Sequence, residues 1–181
     1  LPASTRKGGS LRRLVEAFAD AVTLVPPPED APTAPARIVA RFARATVLGQ
    51  VQVATGGQDG RVLLWHAEDG TLENEIELGQ GWIEHLSWSA NGHFLAASNS
   101  RRVQMHAVDG RELWRSENHP STVSALAWSK SSEVATACYG QVAFYNASSG
   151  EIGQKLQWKG SLVSMVLSPD GDIVACGSQD N

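Results

Sequence analysis

The chain has 181 residues, enough for one domain with a real core, and 42% hydrophobic content with six tryptophans excludes a disordered protein. The net charge is −4, divided unevenly: residues 1–50 hold seven Lys/Arg against four Asp/Glu, a balance of +3, and the remainder is acidic. An acidic body has nothing with which to release counterions from a phosphate backbone, which argues against nucleic-acid binding, and no run approaches the roughly 18 apolar residues of a membrane span.

Residues 1–9 are polar. Over 10–25 Leu11, Leu14, Val15, Phe18 and Val22 fall at helical spacing, with Ser10 as cap and Pro26 as stop, which predicts an amphipathic helix. A basic, Ala/Arg-rich leader of this kind fits a packing helix, an incidental leader or an organelle transit segment. Residues 26–36 (PPPEDAPTAPA) read as an extended Pro-rich linker. The predicted organisation is therefore a leader, helix and linker over 1–36 and a repeat region over 37–181. The start at Leu and the stop at GSQDN, where the first repeat runs on from GGQDG, read as the ends of a piece truncated at its C-terminus.

Residues 37–50 are ambiguous between a first strand and a short helix. From there the chain repeats. GQDGRVLLWHAEDG (57–70) reads as turn, strand, turn, since Gly supplies positive φ and Asp bonds its own backbone. WHAEDG returns as MHAVDG and YNASSG, and Gly70, Gly110 and Gly150 stand forty residues apart. A period near forty with four strand-like runs predicts all-β propeller blades. Repeat one supplies VQVAT, RVLLW and LENEIEL, repeat two (about 82–117) WIEHLSW, HFLAAS, RRVQMH and RELWRS, and repeat three (about 121–158) TVSALAW, EVATAC, QVAFYN and GQKLQW. LVSMVLS and DIVACG open a fourth. In LENEIEL, Glu73, Glu75 and Glu77 alternate with apolar residues, the pattern of a solvated outer strand rather than an acid/base pair.

Repeat two admits two registers. Counting back from Gly110 puts Met105 under Trp65; matching apolar alternation puts Val103 and Met105 under Val62 and Leu64, with His106 under Trp65. The second is favoured, because a one-residue slip turns the buried face outward. Trp88 and Trp128 take one position in consecutive repeats and are expected in the core. Cys138 and Cys176 each end a small-residue strand and are expected as buried free thiols in a reducing compartment.

VATGGQDGRVLLW (53–65) and HPSTVSALAWS (119–129) resemble the strand–Asp–Gly–strand–Trp core and the entry loop of the WD-repeat β-propeller family. The resemblance covers about residues 51–181. It implies a partial WD-repeat propeller of about three to three and a half four-stranded blades, seven being common in a full ring. It also implies a network of loop His, second-strand hydroxyl, turn Asp and third-strand Trp, here divided among Thr55, Asp59 and Trp65, then His119 and Thr136, then Asp180. Tyr145 takes the Trp place in repeat three. The order WIE…LSW, HPSTVSALAW…ATACYG, WKGSL is also similar to a group of bacterial WD-repeat proteins often encoded beside metal-homeostasis GTPases of the CobW type.

No GxxxxGK[ST], GxSxG, HExxH or GxGxxG motif is present, so neither catalysis nor a cofactor is expected. His66, His85, His93, His106 and His119 read as solvated surface residues, His66 and His106 on the outer part of the blades, and no metal site is expected. On the face where propeller loops gather, the candidates for protein-partner binding are Gln58, Asn99, Tyr139 and Gln179 from one loop set and Trp82, His119, Trp158 and Lys159 from the other. Trp82 and Trp158 fit either partner contact or packing between blades. The expected function is a non-catalytic, cytoplasmic protein-interaction scaffold binding an unidentified protein partner, with no nucleic acid and no membrane; the alternative is a ligand- or metal-handling module partnering a CobW-type GTPase.

Overall fold

The computed structural model describes residues 41–47, 50–67, 69–129, 132–168 and 170–179. The predicted helix, the Pro-rich linker and Asp180 lie outside the described residues. Within them every regular element is a strand, in a propeller-like series of antiparallel sheets.

Sheet one runs β1 (Arg41–Val47), β2 (Gln50–Gly56), β3 (Arg61–His66) and β4 (Leu72–Glu77) in chain order. The ambiguous stretch before residue 50 is thus a first strand, paired with β2 along its whole length from Arg41↔Gly56 to Val47↔Gln50. Its own alternation is poor; the ladder it completes decides its form. Sheet two runs β5 (Ile83–Trp88), β6 (Phe94–Asn99), β7 (Arg102–Ala107) and β8 (Glu112–Arg115).

The third unit uses longer strands: β9 (Ala125–Trp128), β10 (Glu133–Asn146), β11 (Ile152–Leu167) and β12 (Val174–Ser178), ordered β12-β11-β10-β9. β10 folds back on itself. The Thr136 hydroxyl donates to the Ala143 carbonyl at 3.4 Å, whereas residues seven apart on a straight strand stand about 23 Å apart. Gly140, at φ 84°, makes that turn. β11 serves two ladders, its first half against β10 and its second against β12.

The register settles the position of His106. Val53 pairs with Trp65 and Leu95 with His106, and the irregularity after Leu64 recurs after Met105 and after Phe144. Trp65, His106 and Tyr145 therefore share one position, as apolar alternation predicts. Val62, Leu64, Val103 and Met105 are all fully buried.

The core lies between consecutive sheets. Ala54, Val62, Leu64 and Ile76 of sheet one pack on Ile83, Trp88, Leu95 and Ala97 of sheet two. Ala96 and Met105 pack on Val134, Ala143 and Tyr145, with Trp128 against them. Ala125, Ala135, Ala137, Val142 and Phe144 pack on Leu162 and Met165 of the last hairpin. Trp88 pairs with Leu95 and Trp128 with Val134, so both occupy the same place against a core.

One expectation is corrected. Cys138 is a buried free thiol, but Cys176 is free and exposed: β12 is an edge strand with no neighbour on its outer side among the described residues. The outward side of that hairpin leaves Val163, Val166 and Ile173 exposed as well.

Gly60 shows how tightly the sheets meet. It sits at φ 76°, and a Cβ there would run into the carbonyl oxygen of Gly79 in the segment leading to sheet two. Gly60→Ala should lower unfolding stability by about 2 kcal/mol or more in urea titration. Gly153→Ala, with ordinary φ and its nearest neighbour at 3.5 Å, should cost less than about 0.5 kcal/mol.

Candidate partner-binding face

At one end of the sheets, turns and entry segments are tied together in sequence. In the β2–β3 turn, the Gly57 carbonyl accepts from Ile83 N at 3.0 Å and the Gly60 carbonyl from Leu78 N at 2.9 Å. Asn99 Nδ2 donates to the Gly79 carbonyl at 3.3 Å, which joins that segment to the β6–β7 turn. There Ser100 holds φ 53°, and its N–H donates to the Glu84 carboxylate at 2.7 Å. His119 N donates to the Arg101 carbonyl at 2.8 Å and Val123 N to the Ser100 carbonyl at 2.9 Å. Tyr139 N donates to Ser121 Oγ at 2.8 Å, Tyr139 stands opposite Ser161, and the Ser161 carbonyl accepts from Gln179 N at 2.9 Å.

All eight candidate residues belong to these turns and entry segments or directly adjoin them, but they differ in exposure. Trp82, Tyr139 and Trp158 are 57%, 53% and 56% exposed. Lys159 and Gln179 are exposed and Gln58 half-buried. Asn99 and His119 are buried, at 7% and 2%. They offer no contact surface; they hold the loops on which the aromatic side chains stand.

The His119 ring is held on both sides. Its Nδ1 lies 3.0 Å from the Arg101 carbonyl, which can only accept, so Nδ1 carries the proton. Nε2, left with its lone pair, lies 3.1 Å from the Tyr145 hydroxyl and 3.0 Å from the Thr136 hydroxyl. Burial pushes the Tyr145 hydroxyl's pKa up, keeping it a donor. In sheet one, Trp65 Nε1 donates to Thr55 Oγ1 at 3.0 Å, while Asp59 accepts from the nearby Arg61 N at 3.2 Å.

Sheet two departs from this pattern. His106 fills the Trp65 position, and the residue matching Thr55 is Ala97, as the pairs Thr55↔Leu63 and Ala97↔Gln104 require. Nδ1 of His106 donates to the Gly110 carbonyl at 3.2 Å, and Nε2 is buried with no partner among the described residues. His106 and His119, expected at the surface, are thus core residues at 1% and 2% exposure: His106 lies on a strand of sheet two, and His119, in the segment before β9, is enclosed between the Arg101 carbonyl and the Thr136 and Tyr145 hydroxyls. His93 is exposed and His66 and His85 half-buried.

Among the described residues no group of three or more His, Cys, Asp or Glu is placed to hold a metal ion, and no helix is long and apolar enough to cross a membrane.

Solved structures share this fold. The computationally designed Ika4 protein superposes with a TM-score of 0.69 at 20% identity, over 80% of this chain and 88% of that one. The computationally designed Ika8 protein gives 0.64 at 21% identity, over 76% of this chain and 42% of that one. A chain of the mitotic checkpoint complex gives 0.65 at 18% identity, over 76% of this chain and 44% of that one. The chain thus spans less than half the length of the last two, and identities this low establish the fold alone. No protein-family model and no curated protein matches the sequence.

Burial lowers the pKa of both His106 and His119; for His119 the cations Lys155 and Arg101 act in the same direction, against the raising effect of its bond to the Arg101 carbonyl. With folded values below the unfolded one, about 6.5, stability is full above that pH and shrinks as pH falls toward the folded values. Unfolding free energies from urea titration should therefore drop between pH 7.5 and 5.5, by at most about 1.4 kcal/mol per histidine. His106→Leu should lose less on acidification, since it never buries an unpaired N–H. A variant as acid-sensitive as the parent would show that His106 is not a buried neutral group.

Proposed function

We propose that this protein is a non-catalytic protein-interaction scaffold whose sheets are divergent WD-repeat blades. The observation that carries the reading is the placement of Trp82, Tyr139 and Trp158, each more than half exposed at one end of the fold, beside turns held by backbone hydrogen bonds. Large aromatic side chains on a rigid frame lose little conformational freedom on binding and are the residue type that dominates interaction hot spots.

The fold likeness to a chain of a multi-protein complex supports a protein as partner. Two free cysteines fit a reducing, cytoplasmic setting. The network carried over from the family resemblance supports the blade reading in its local form, with Thr55 and Trp65 bonded in one sheet and His119, Thr136 and Tyr145 in another. The CobW-linked, metal-handling alternative draws no support from the geometry or from the comparisons.

Replacing Trp82, Tyr139 and Trp158 together by alanine should weaken partner capture by about 100-fold or more, with each single change costing about tenfold. The thermal midpoint should stay within about 2 °C, because all three side chains are largely solvated. Quantitative pull-down with a partner first identified by cross-linking measures this. Undiminished capture by the triple variant would place the binding surface elsewhere.

A further inference from the structure

Beyond residue 50, the described Arg and Lys side chains differ in whether a carboxylate accompanies them. Arg61, Arg111 and Arg115 each have one within 4.0 Å, from Glu75, Asp109 and Glu112. Arg101, Arg102, Lys155 and Lys159, all exposed, have none among the described residues. Arg101 and Arg102 adjoin the turn between β6 and β7, and Lys159 adjoins the bend of β10, at the end of the fold that carries Tyr139 and Trp158.

That turn is two residues long, Ser100 and Arg101, closed by the pair Asn99↔Arg102. Apart from glycines, Ser100 alone among the described residues has positive φ, a strained conformation that persists only where its surroundings fix it. Here the Glu84 carboxylate accepts from its N–H at 2.7 Å, and Val123 N donates to its carbonyl at 2.9 Å. Arg101 is fixed in turn, its Nε donating to the His119 carbonyl at 2.7 Å, and Arg102 Nε donates to Asn118 Oδ1 at 2.8 Å. Both acceptors are neutral, so the positive charges stay uncompensated. The terminal N–H groups of Arg101, which can grip a carboxylate through two parallel bonds, have no partner among the described residues.

Tyr139 stands close to this guanidinium. His119 and Ser121 are two residues apart, at most about 7 Å, and Ser121 Oγ accepts from Tyr139 N at 2.8 Å. Burial pushes the Cys138 thiol pKa up and the Arg101 charge pulls against it, so Arg101 lies within electrostatic reach of the residue directly before Tyr139. Across the bend, the Trp158 carbonyl comes within 3.9 Å of where a Gly140 Cβ would sit, with Lys159 next in the chain.

We propose that Arg101 is the anion-binding anchor of the partner face and that the partner reaches it with an acidic peptide segment. One Asp or Glu carboxylate is held bidentate by the Arg101 guanidinium, a neighbouring apolar side chain lies on Tyr139, and further carboxylates meet Arg102 and Lys159. This inference rests on the reading of that end as the binding surface and supplies the partner's chemistry. A guanidinium already held by His119 loses little freedom on binding, and its planar fork distinguishes a carboxylate from a neutral amide. Glu84 and the exposed Glu117 stand beside the same turns and damp the field, so recognition comes from this contact and not from broad attraction.

NMR titration of the nitrogen-15-labelled full chain with the peptide DELDE, and with its neutral counterpart NQLNQ, tests the proposal. DELDE should shift the Arg101 Nε–H and Tyr139 amide signals and bind at least about tenfold more tightly than NQLNQ. Arg101→Gln should weaken DELDE binding about tenfold, and Arg101→Lys about fivefold, since Lys keeps the charge and loses the fork. Arg111→Gln, in the turn at the other end of β7, should change it less than about twofold. The amide spectrum of each variant reports whether it is folded, and Lys159→Gln, an exposed change, gives an independent reading with a loss of about threefold. Equal affinity for the two peptides overturns the proposal. So does binding that Arg101→Gln and Arg111→Gln weaken equally, which would reduce it to diffuse charge, or binding that neither Arg101→Lys nor Lys159→Gln weakens. If DELDE fails to bind while the alanine triple variant still loses its partner, the scaffold reading stands and the acidic partner falls.

Discussion

Each sheet here has an apolar side that only another sheet can cover, and that requirement organises the molecule. Small residues on the second strands let the sheets approach: Ala96 and Ala97 on β6, Ala135 and Ala137 on β10. Long side chains fill the space opposite them, Met105 between sheets two and three, Leu162 and Met165 against the third. Trp114 and Trp128 bridge the layers with both ring and N–H, whereas the buried Trp88 Nε1 has no partner among the described residues. Trp114 donates to the Ala147 carbonyl at 2.7 Å and stacks on Tyr145 at 5.5 Å, and Trp128 donates to the Ser87 carbonyl at 3.2 Å. Burial supplies the driving force, while the paired indole N–H groups avoid the cost of unbonded buried donors.

The same stacking makes the loop end stiff. Each turn between second and third strands is tied to the segment entering the following unit, so the turns move only if the sheets do. That is the physical link between packing and the proposed function: aromatic side chains held on such turns would meet a partner without first paying for their own ordering. The polar latches vary from sheet to sheet because the sheets need only compatible faces. A Trp–Thr bond serves in one, a His held between a carbonyl and two hydroxyls in another, and a histidine with a bare nitrogen in the one between them.

The forty-residue beat and apolar alternation made most strands after residue 50 legible in the sequence, with Trp88 and Trp128 at equivalent core positions. Alternation rather than counting from glycines placed His106 correctly under Trp65. The first strand was not legible, since pairing with β2 and not its own pattern determines it. Burial of His106, His119 and Asn99 was missed because residue type suggested solvent, whereas the position faces a neighbouring sheet or holds a loop. Tyr145, eighty residues after Trp65, was legible as the residue in the Trp place beside His119 and Thr136. The role of the Arg101 carbonyl had no sequence signal, since any residue supplies one. The exposure of Cys176 follows from what lies beside β12, which local pattern does not encode.

Sheet-on-sheet packing is tested most directly by a double-mutant cycle between Phe94 of β6 and Trp128 of β9, whose rings stack at 6.5 Å across the boundary between two sheets. Unfolding free energies of Phe94→Leu, Trp128→Leu and the double variant should reveal a coupling of about 0.5–1.5 kcal/mol. Strict additivity, within about 0.3 kcal/mol, would mean that the two sheets do not lie against each other.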